Sequence, residues 1–464
     1  MNDLQFTFYG DDFTGSTDAL EVLTAAGLRS VLFTKPPTRE MLAAYPEVQA
    51  VGMAGVSRSL SPTEMDAELR PAFAALSALN PRHLHYKVCS TFDSSPEIGS
   101  IGRAIEIGSE FSVASFVPLL VGNPVLGRYC VFGNLFGQAG VGHAGEVYRL
   151  DRHPTASRHP ITPMYESDLR LHLAKQTRKK VALFDILSLA LPVEESRQQF
   201  ERLIQGGAEV VLLDLLYPEQ LSTLGDLMDS QAGDAEPLFS VGSSGVEMAL
   251  GAHWQATAKL AARTDWANPA AVDQVLVVSG SCSPVTGAQI AYAVSHGFAE
   301  IALETCVLTD EDCNSYLLQV TAELVNLIKS GKSVVVHTSR GDFDPRHSGA
   351  AKQPAERNSC SLENQTWCSR RLGAALGQLI TAAVEQTTIK RVCIAGGDTS
   401  SYATREMGVA ALEMICPTVQ GAPLCRASAP SQPIDGIEIC FKGGQVGRED
   451  YFVSLLRLNN KPIN

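Results

Sequence analysis

Charged and hydroxyl side chains follow three apolar segments in the first half of the chain. Asp11 and Asp12 come directly after LQFTFYG, the run SRS at 57–59 follows VGMAGV, and the segment KVCSTFD at 87–93 follows HLHY. If these apolar segments are neighbouring parallel strands, their polar residues meet at one edge of a sheet. Carboxylates, cations and hydroxyls brought together there suit a small polyhydroxylated anion, because cations pair with its carboxylate and an aspartate can accept a hydroxyl proton.

Each of these residues also has an ordinary structural explanation. Asp12 or Asp18 could cap the helix that follows, Arg58 could pair with a neighbouring acid, and Lys87 could be a solvated strand end. One such residue does not establish a site, whereas the whole set favours one.

Three glycine- and serine-rich corners follow apolar segments in the second half. They are SGSCS at 279–283, GGDTSS at 396–401 and KGG at 442–444. Glycine lets a phosphate approach the backbone, hydroxyls donate hydrogen bonds, and an acid can hold Mg²⁺ or ribose. One such corner is common between a strand and a helix, but three of them favour a nucleotide site.

Short aliphatic and β-branched runs alternate with amphipathic stretches, as where LQFTFY is followed by STDALEVLTAAG. This alternation predicts an α/β fold with mostly parallel sheets flanked by helices. We expect Thr14, Ser16 or Thr17 to cap the first helix and Gly27 to end it. The glycine- and proline-rich stretch 121–163 predicts long loops.

A polar, alanine-rich stretch at 255–272 lacks strand character and separates two series of alternating segments. We therefore predict two domains, residues 1–260 and 270–464. The first contains the corners suited to an anion, and the second contains the glycine-rich corners.

Composition limits the classes of function. The chain has 464 residues, of which 45% are hydrophobic, and its formal net charge of −13 is spread along the sequence. This charge disfavours nucleic acid and anionic membranes as partners, and the start of the chain resembles neither a signal peptide nor a membrane segment. Eleven cysteines without a C-x-x-C pair and ten histidines without zinc-like spacing predict a cytoplasmic protein with reduced thiols. His153 and His159 are expected to contact substrate or to stabilise a loop.

Six motifs together resemble those of the four-carbon acid sugar kinase family. They are GDDFTGSTD from residue 10, SRS from 57, YKVCSTFDSSP from 86, GSCS from 280, GGDTS from 396 and FKGG from 441. The resemblance covers almost the whole chain and implies an ATP-dependent kinase with an N-terminal sugar-acid domain, a C-terminal nucleotide domain and an active site in the cleft between them. It implies ATP and Mg²⁺ as cofactors and a small sugar acid as partner. The sequence is silent on oligomeric state and leaves a homo-oligomer open.

The resemblance also implies roles for the matching residues. Asp11 and Asp12 would be catalytic and face the acceptor hydroxyl, with Asp12 as the base. Lys87, also a catalytic candidate, would hold the substrate acid together with Arg58 and help to neutralise charge. The candidates for binding the sugar acid are Ser57, Arg58, Ser90, Thr91 and Asp93. The candidates for binding ATP are Ser281, Ser283, Gly396, Gly397, Asp398, Thr399, Gly443 and Gly444.

The segment after Lys87 bears on the substrate. Its run Cys-Ser-Thr-Phe-Asp looks like that of the 3-oxo acid kinases, whereas kinases of threonate or erythronate carry Lys-Thr-Asp-Ser-Thr-Leu-Arg-Gly. Residues 95–103 depart from the usual 3-oxo-tetronate pattern in their glycine spacing and in Arg103. We therefore expect phosphorylation of a terminal hydroxyl of 3-oxo-tetronate or of the branched 3-oxo-isoapionate, with threonate or erythronate as alternative acceptors.

Two other classes of function remain open at this point. One is a dehydrogenase or lyase acting on a similar sugar acid, and the other is a sugar-acid binding protein without turnover. The G-x-G-x-x-G match at residues 140–145 is not followed by a helix-forming apolar pattern, which disfavours a dinucleotide site. A binding protein would not need two adjacent aspartates facing a nucleotide site.

Overall fold

The computed structural model describes residues 4–139, 145–159, 161–233, 236–308, 314–341, 344 and 362–458, except for the side chains of residues 306, 362–368 and 398. The chain forms two compact units, Met1–Asp265 and Trp266–Asn464. In the described residues, no helix is both long enough and apolar enough to cross a membrane.

The first unit is built on a parallel sheet. Its strands in chain order are β1 (Phe6–Gly10), β2 (Ser30–Phe33), β3 (Ala50–Ala54), β4 (His83–Lys87), β5 (Val117–Leu120), β6 (Arg128–Val131), β7 (Asn134–Gln138), β8 (Val147–Arg149), β9 (Val181–Phe184), β10 (Val210–Leu213) and β11 (Leu238–Gly242). Among these described strands, β2-β3-β1-β4-β11-β5-β10-β9 pair in that order, and every pair is parallel.

Helices connect these strands. They are α1 (Phe13–Ala26), α2 (Arg39–Leu42), α3 (Pro62–Ser77), α4 (Ile101–Gly108), α5 (Leu169–Leu173), α6 (Ile186–Leu189), α7 (Val193–Gln205), α8 (Leu221–Asp229) and α9 (Gly245–Ala256). Helix α1 begins after Asp12, whose carboxylate accepts a hydrogen bond from the Gly15 amide at 2.7 Å. It ends at Gly27, where φ is 114°. The expected stop at Gly27 is therefore confirmed, but a cap by Thr14, Ser16 or Thr17 is wrong, because the acid that precedes them takes that position.

The stretch predicted as long loops contains a small sheet. Strands β6, β7 and β8 pair antiparallel in that order. The prediction was wrong there because the strands are only three to five residues long and several of their side chains are not buried. Residues 140–144 of the G-x-G-x-x-G match lie outside the described residues, and a strand rather than a helix comes next.

Strand β1 lies where the strand order of the first unit reverses. From β1 the chain builds β2 and β3 on one side, and then β4 on the other. The register aligns Gly10 with Ala54 and Lys87, and Lys87 with Gly242. The loops after these four strands therefore leave the sheet at one level, which is where open parallel sheets bind ligands.

The second unit has its own sheet. Its strands are β12 (Leu276–Ser279), β13 (Ala299–Ala302), β14 (Val334–His337), β15 (Arg391–Ala395), β16 (Ala411–Val419), β17 (Ala422–Ser428) and β18 (Glu438–Lys442). Its helices are α10 (Pro284–Ser295), α11 (Thr305–Leu308), α12 (Asn314–Lys329), α13 (Leu362–Gln386), α14 (Gly397–Glu406) and α15 (Tyr451–Ser454). The strands pair in the order β13-β14-β12-β15-β18-β17-β16, parallel as far as β18 and antiparallel beyond it.

A second reversal of strand order lies between β12 and β15. The register places Ser279 beside His337 and Ala395, and Ala395 beside Lys442. The glycine-rich corners after β12, β15 and β18 thus start from adjacent positions. Because both units have mostly parallel sheets flanked by helices, the predicted α/β fold class is confirmed.

Candidate active site

Arg58 joins the two aspartates that follow β1. It lies in a short 3₁₀ turn, Ser57–Ser59, after β3. Its Nη2 and Nε donate to the two Asp11 carboxylate oxygens at 2.8 and 3.2 Å, and its Nη1 lies 3.0 Å from Asp12 Oδ2. Burial raises the pKa of Asp11 and the Arg58 guanidinium opposes that rise. The structural alternative foreseen for Arg58, an ion pair with a neighbouring acid, is therefore present.

Asp12 is held in place by the start of helix α1. Its Oδ1 accepts from the Gly15 amide and its Oδ2 accepts from the Thr14 hydroxyl, each at 2.7 Å. A Cβ on Gly15 would lie 2.6 Å from Asp12 Oδ1, so a side chain there would displace that carboxylate oxygen. These contacts fix the orientation of the carboxylate, because each of its oxygens accepts a hydrogen bond from the first turn of α1.

Lys87 ends β4 and is buried, with only 2% of its surface exposed. Its Nζ lies 3.4 Å from Asp18 Oδ2 and donates to the Val88 carbonyl at 3.1 Å. Burial lowers the pKa of Lys87, but Asp18, Glu247 and Asp11 outweigh that effect and the pKa is raised overall. The idea of a solvated strand end is therefore wrong, because neighbouring acids hold the ammonium inside the protein.

Glu247 and His85 form a buried pair that the sequence analysis missed. His85 Nε2 lies 3.6 Å from Glu247 Oε1, and both side chains are fully buried. Burial raises the pKa of Glu247 to about 8 and lowers that of His85 to about 3. A signal existed in the sequence, because Glu247 is a charge inside the otherwise apolar start of a helix, VEMAL.

The loop after Lys87 is held by hydrogen bonds to helix α5 and to the residues just after it. Ser94 Oγ lies 2.9 Å from His172 Nε2, and the Gln176 amide donates to Ser94 Oγ at 3.0 Å. At the centre of the loop, Phe92 is buried with a φ of 58°, a left-handed conformation that is rare for a bulky residue. These contacts fix the backbone from which the candidate ligands project.

The candidates on this loop are half-buried. Cys89 Sγ lies 2.9 Å from Thr91 Oγ1, and burial raises the pKa of the Cys89 thiol to about 11. Ser90 and Asp93 are also partly exposed. Cys89 interacts electrostatically with Asp93, Arg58 and Asp12, so the loop lies beside the Arg58 ion pair.

Two residues singled out by sequence have internal partners instead. Ser57 is fully buried and its Oγ lies 2.9 Å from the Tyr86 hydroxyl. Arg103 donates to the Asp66 carboxylate at 2.6 to 3.1 Å and to Glu106 at 2.8 Å. Arg103 therefore connects α4 to α3. Because its guanidinium has this structural partner, its presence in the sequence does not indicate which substrate is bound.

The glycine-rich corners of the second unit meet around Thr399. A Cβ on Gly280 would lie 2.0 Å from Thr399 Oγ1, and a Cβ on Gly396 would lie 3.1 Å from the same atom. Gly396 has a φ of 118°, which glycine tolerates and other residues rarely adopt. Gly397 and Thr399 open helix α14, whereas the Asp398 side chain lies outside the described part of the structure.

The third corner packs against the first. A Cβ on Gly444 would lie 2.9 Å from Ser281 Oγ and 3.1 Å from Ser283 Cβ. Ser281 Oγ accepts from the Ser283 amide at 3.2 Å, and Ser283 caps α10. Gly443 accepts a hydrogen bond at its carbonyl from Lys442 Nζ at 2.8 Å.

Lys442 belongs to the third glycine-rich corner, but the sequence analysis gave it no role of its own. It is fully buried, and besides Gly443 it donates to Thr286 Oγ1 at 3.1 Å and to the Gly444 carbonyl at 3.3 Å. Burial lowers the pKa of Lys442 to about 7. Its hydrogen-bond partners among the described residues are neutral, so this lysine at a glycine-rich corner is suited to an anionic ligand, which would supply the counter-charge.

Two models of known protein domains match the chain, one in each half. The model of a sugar-binding N-terminal domain matches residues 6–250, and the model of a nucleotide-binding C-terminal domain matches residues 276–452. The chain is 43% identical over 451 residues to a 3-oxo-isoapionate kinase from Paraburkholderia graminis, covering 97% of this chain and 93% of the relative. This chain belongs to the four-carbon acid sugar kinase family.

Two further proteins are similar to this chain at lower identity. A 3-oxo-tetronate kinase from Methylobacterium radiotolerans is 29% identical over 95% of this chain and 96% of its own. The crystal structure of a Salmonella typhimurium LT2 protein described as a tRNA synthase has a TM-score of 0.75 at 23% identity, covering 97% of this chain and 98% of that chain. That likeness establishes a shared fold. The family membership predicted from the six motifs is confirmed.

Proposed function

We propose that this protein is an ATP-dependent sugar-acid kinase whose preferred acceptor is 3-oxo-isoapionate. The observation that carries the proposal is the corner at the strand-order reversal of the first unit, where two aspartates, Arg58 and the buried Lys87 meet. Kinase relatives along nearly the whole chain support the reaction class, and the higher identity to the 3-oxo-isoapionate kinase supports the acceptor.

The reaction requires one proton acceptor and one bond exchange. The terminal hydroxyl oxygen of the acid forms a bond to the γ-phosphorus of ATP, the bond from that phosphorus to the β–γ bridging oxygen breaks, and ADP leaves. We assign the hydroxyl proton to Asp12. Arg58 binds both oxygens of Asp11, whereas the three contacts of Asp12 leave one of its roughly four acceptor positions for a substrate hydroxyl.

Residues of the second unit are proposed to bind the ATP phosphates. The backbone of Gly280, Gly396 and Gly444 allows close approach, and Ser281 and Thr399 offer hydroxyls beside it. Lys442 supplies positive charge. Phosphoryl transfer depends on positioning and charge neutralisation, so these groups and the acid-binding corner are sufficient protein contributions.

Mg²⁺ is proposed to arrive with the nucleotide. The described residues contain no cluster of three or more His, Cys, Asp or Glu side chains that could hold a metal ion. A site of this kind fits Mg²⁺ that is bound mainly by phosphates and water, the usual arrangement at nucleotide sites. When bound with ATP, Mg²⁺ supplies neutralisation of phosphate charge.

A coupled ADP-release assay tests the function. The panel contains 3-oxo-isoapionate, both 3-oxo-tetronates, threonate and erythronate, each with Mg-ATP. We expect the highest kcat/KM with 3-oxo-isoapionate. Preference for a 3-oxo-tetronate would change the acceptor but keep the kinase. ADP release with none of the acids, in protein that binds ATP in calorimetry, would contradict the proposed acceptor class, and failure to bind ATP would contradict the kinase itself.

An active-site variant tests the proton acceptor. Asp12→Asn should lower kcat by at least about 100-fold, as expected for loss of a general base, while ATP affinity stays within about twofold. Asp11→Asn is the matched control, because it makes the same carboxylate-to-amide replacement at the neighbouring acid. A larger loss of kcat in the Asp11 variant would show that Asp11, and not Asp12, is the proton acceptor.

A further inference from the structure

Arg128 lies beside the loop that follows β4 and forms no ion pair with a carboxylate of the described residues. It is the first residue of β6, in the region where the sequence predicted only loops. We propose that Arg128 binds the carboxylate of the sugar acid and thereby determines specificity for acids over uncharged sugars. The inference deepens the proposed function and rests on it for the identity of the ligand.

The sheet register brings Arg128 to the candidate site. Gly242 of β11 aligns with Lys87 on one side and with Leu120 of β5 on the other. The loop after β5 therefore leaves the sheet at the same level as the loop after β4. Asn123 in that loop is buried and donates to Ser244 Oγ at 2.8 Å, which fixes the path of the chain towards β6.

The guanidinium of Arg128 is positioned by neutral groups. Its Nη1 donates to the carbonyls of Leu126, Gly127 and Gln138 at 3.1, 3.2 and 3.3 Å. Its Nε is buried and has no hydrogen-bond partner among the described residues. No carboxylate of those residues forms an ion pair with it, and Asp93 acts on it only from beyond that distance. A largely buried cation in this condition favours an anionic ligand, because burial without a counter-charge is costly.

The two cations expected from the sequence to hold the substrate acid are already paired. Arg58 contacts Asp11 and Asp12, so that group of three side chains carries one net negative charge when both acids are ionised. Lys87 faces Asp18. A substrate carboxylate placed beside Arg58 would meet two carboxylates as well as the guanidinium. Arg128 is the more favourable partner, because no carboxylate of the described residues lies within ion-pair distance of it and only Asp93 acts on it from further away.

The loop between the two arginines has the right position for a small acid. Arg128 interacts electrostatically with Cys89 and Asp93, while Cys89 also interacts with Arg58 and Asp12. The residues after β4 thus lie near both Arg128 and the Asp12 corner. A sugar acid bound there would place its carboxylate at Arg128 and its opposite, hydroxyl-bearing end towards Asp12. This orientation explains why a terminal hydroxyl would receive the phosphoryl group.

The test compares Arg128→Met and Arg128→Lys with Arg149→Met. Arg149 lies on β8 of the same small sheet, is exposed and pairs with Asp151, so it controls for loss of an arginine from that sheet. The ligand is the panel acid that the wild type binds most tightly in calorimetry, and the same method measures its affinity for each variant. Each affinity is compared with that for the same compound carrying an amide in place of the carboxylate.

We expect Arg128→Met to weaken acid binding about 100-fold, as for loss of a bidentate charged contact, and to leave affinity for the amide and for ATP within about twofold. Arg128→Lys should lose less, because lysine keeps the charge but not the two-pronged geometry. It also keeps the test valid if the methionine variant does not fold. Arg149→Met should behave as the wild type.

Two outcomes would overturn the inference. One is an Arg128 variant that still prefers the acid over the amide as strongly as the wild type does. The other is equal weakening of acid and amide, which would indicate a structural role alone. If the wild type binds a panel acid but does not release ADP, the kinase proposal fails and the binding data still decide the role of Arg128. If it binds none of the acids, both proposals fail.

Discussion

Replacing Arg58 by methionine should destabilise the protein, and the size of the effect should depend on pH. Arg58 is the shared counter-charge of two aspartates whose side chains are each 3% exposed, through contacts of 2.8 to 3.2 Å. Methionine keeps most of the side-chain volume and removes the charge. The two carboxylates are then left buried, adjacent and without their shared counter-charge.

The expected loss is about 3–5 kcal/mol of unfolding free energy near pH 8, the usual cost of removing one partner from a buried ion pair. The sign of the pH dependence follows from Asp11. Burial already raises the pKa of Asp11 against the opposing effect of Arg58, and the substitution removes that opposition. A carboxyl whose folded pKa is raised contributes stability below its unfolded pKa and loses it as pH rises through the folded pKa. The destabilisation should therefore be smaller near pH 5 than near pH 8.

Urea unfolding at both pH values measures the effect, with Arg103→Met as the matched control. Arg103 also binds a carboxylate through two nitrogens, but its side chain is 30% exposed and that of Asp66 is 31% exposed. An exposed pair of this kind contributes about 0–1 kcal/mol. Adding Asp11→Asn to the Arg58 variant should recover part of the loss, since one of the two charges disappears. Equal losses for Arg58→Met and Arg103→Met, or a larger loss at pH 5 than at pH 8, would refute the reasoning.

Two further predictions concern single contacts. Gly280→Ala places a Cβ 2.0 Å from Thr399 Oγ1 and should lower the unfolding free energy by about 1–3 kcal/mol; adding Thr399→Ala should restore part of it in urea unfolding, and no recovery would contradict the contact. Burial raises the pKa of Glu247 to about 8, so its contribution to stability is lost as pH rises towards that value. Glu247→Gln should therefore flatten the decline of unfolding free energy between about pH 5 and pH 8, with each unit of pKa shift equivalent to about 1.4 kcal/mol, whereas an unchanged slope would show that Glu247 does not titrate there.

Local patterns were good predictors where the structure depends on local contacts. The αL stop at Gly27 follows from the conformational freedom of one residue, and its φ of 114° agrees. The small sheet at β6–β8 was missed, because its short strands form through pairing with each other and lack a clear apolar alternation. Arg128, which begins that sheet, was missed for the same reason.

Side-chain partners were harder to predict than side-chain locations. The polar corner after β1 was correctly expected to gather acids, an arginine and a lysine, because parallel strands end at one edge. The sequence could not show that Lys87 is buried beside Asp18, or that Ser57 faces Tyr86. It also treated Arg103 as unusual, although its partner lies 37 residues away on a neighbouring helix.

By itself, the sequence determined the α/β class, the family and the corners where chemistry is concentrated, because these depend on periodicity and on short motifs. Tertiary structure alone decided which charges are neutralised and which are not. Ion pairs form between residues that the fold brings within about 3–4 Å, and that distance bears no simple relation to separation along the chain. Arg58, Arg103 and Arg128 are the same residue type, yet the fold gives them different partners. Arg58 pairs with buried acids, Arg103 pairs with a more exposed acid, and Arg128 donates to carbonyl groups.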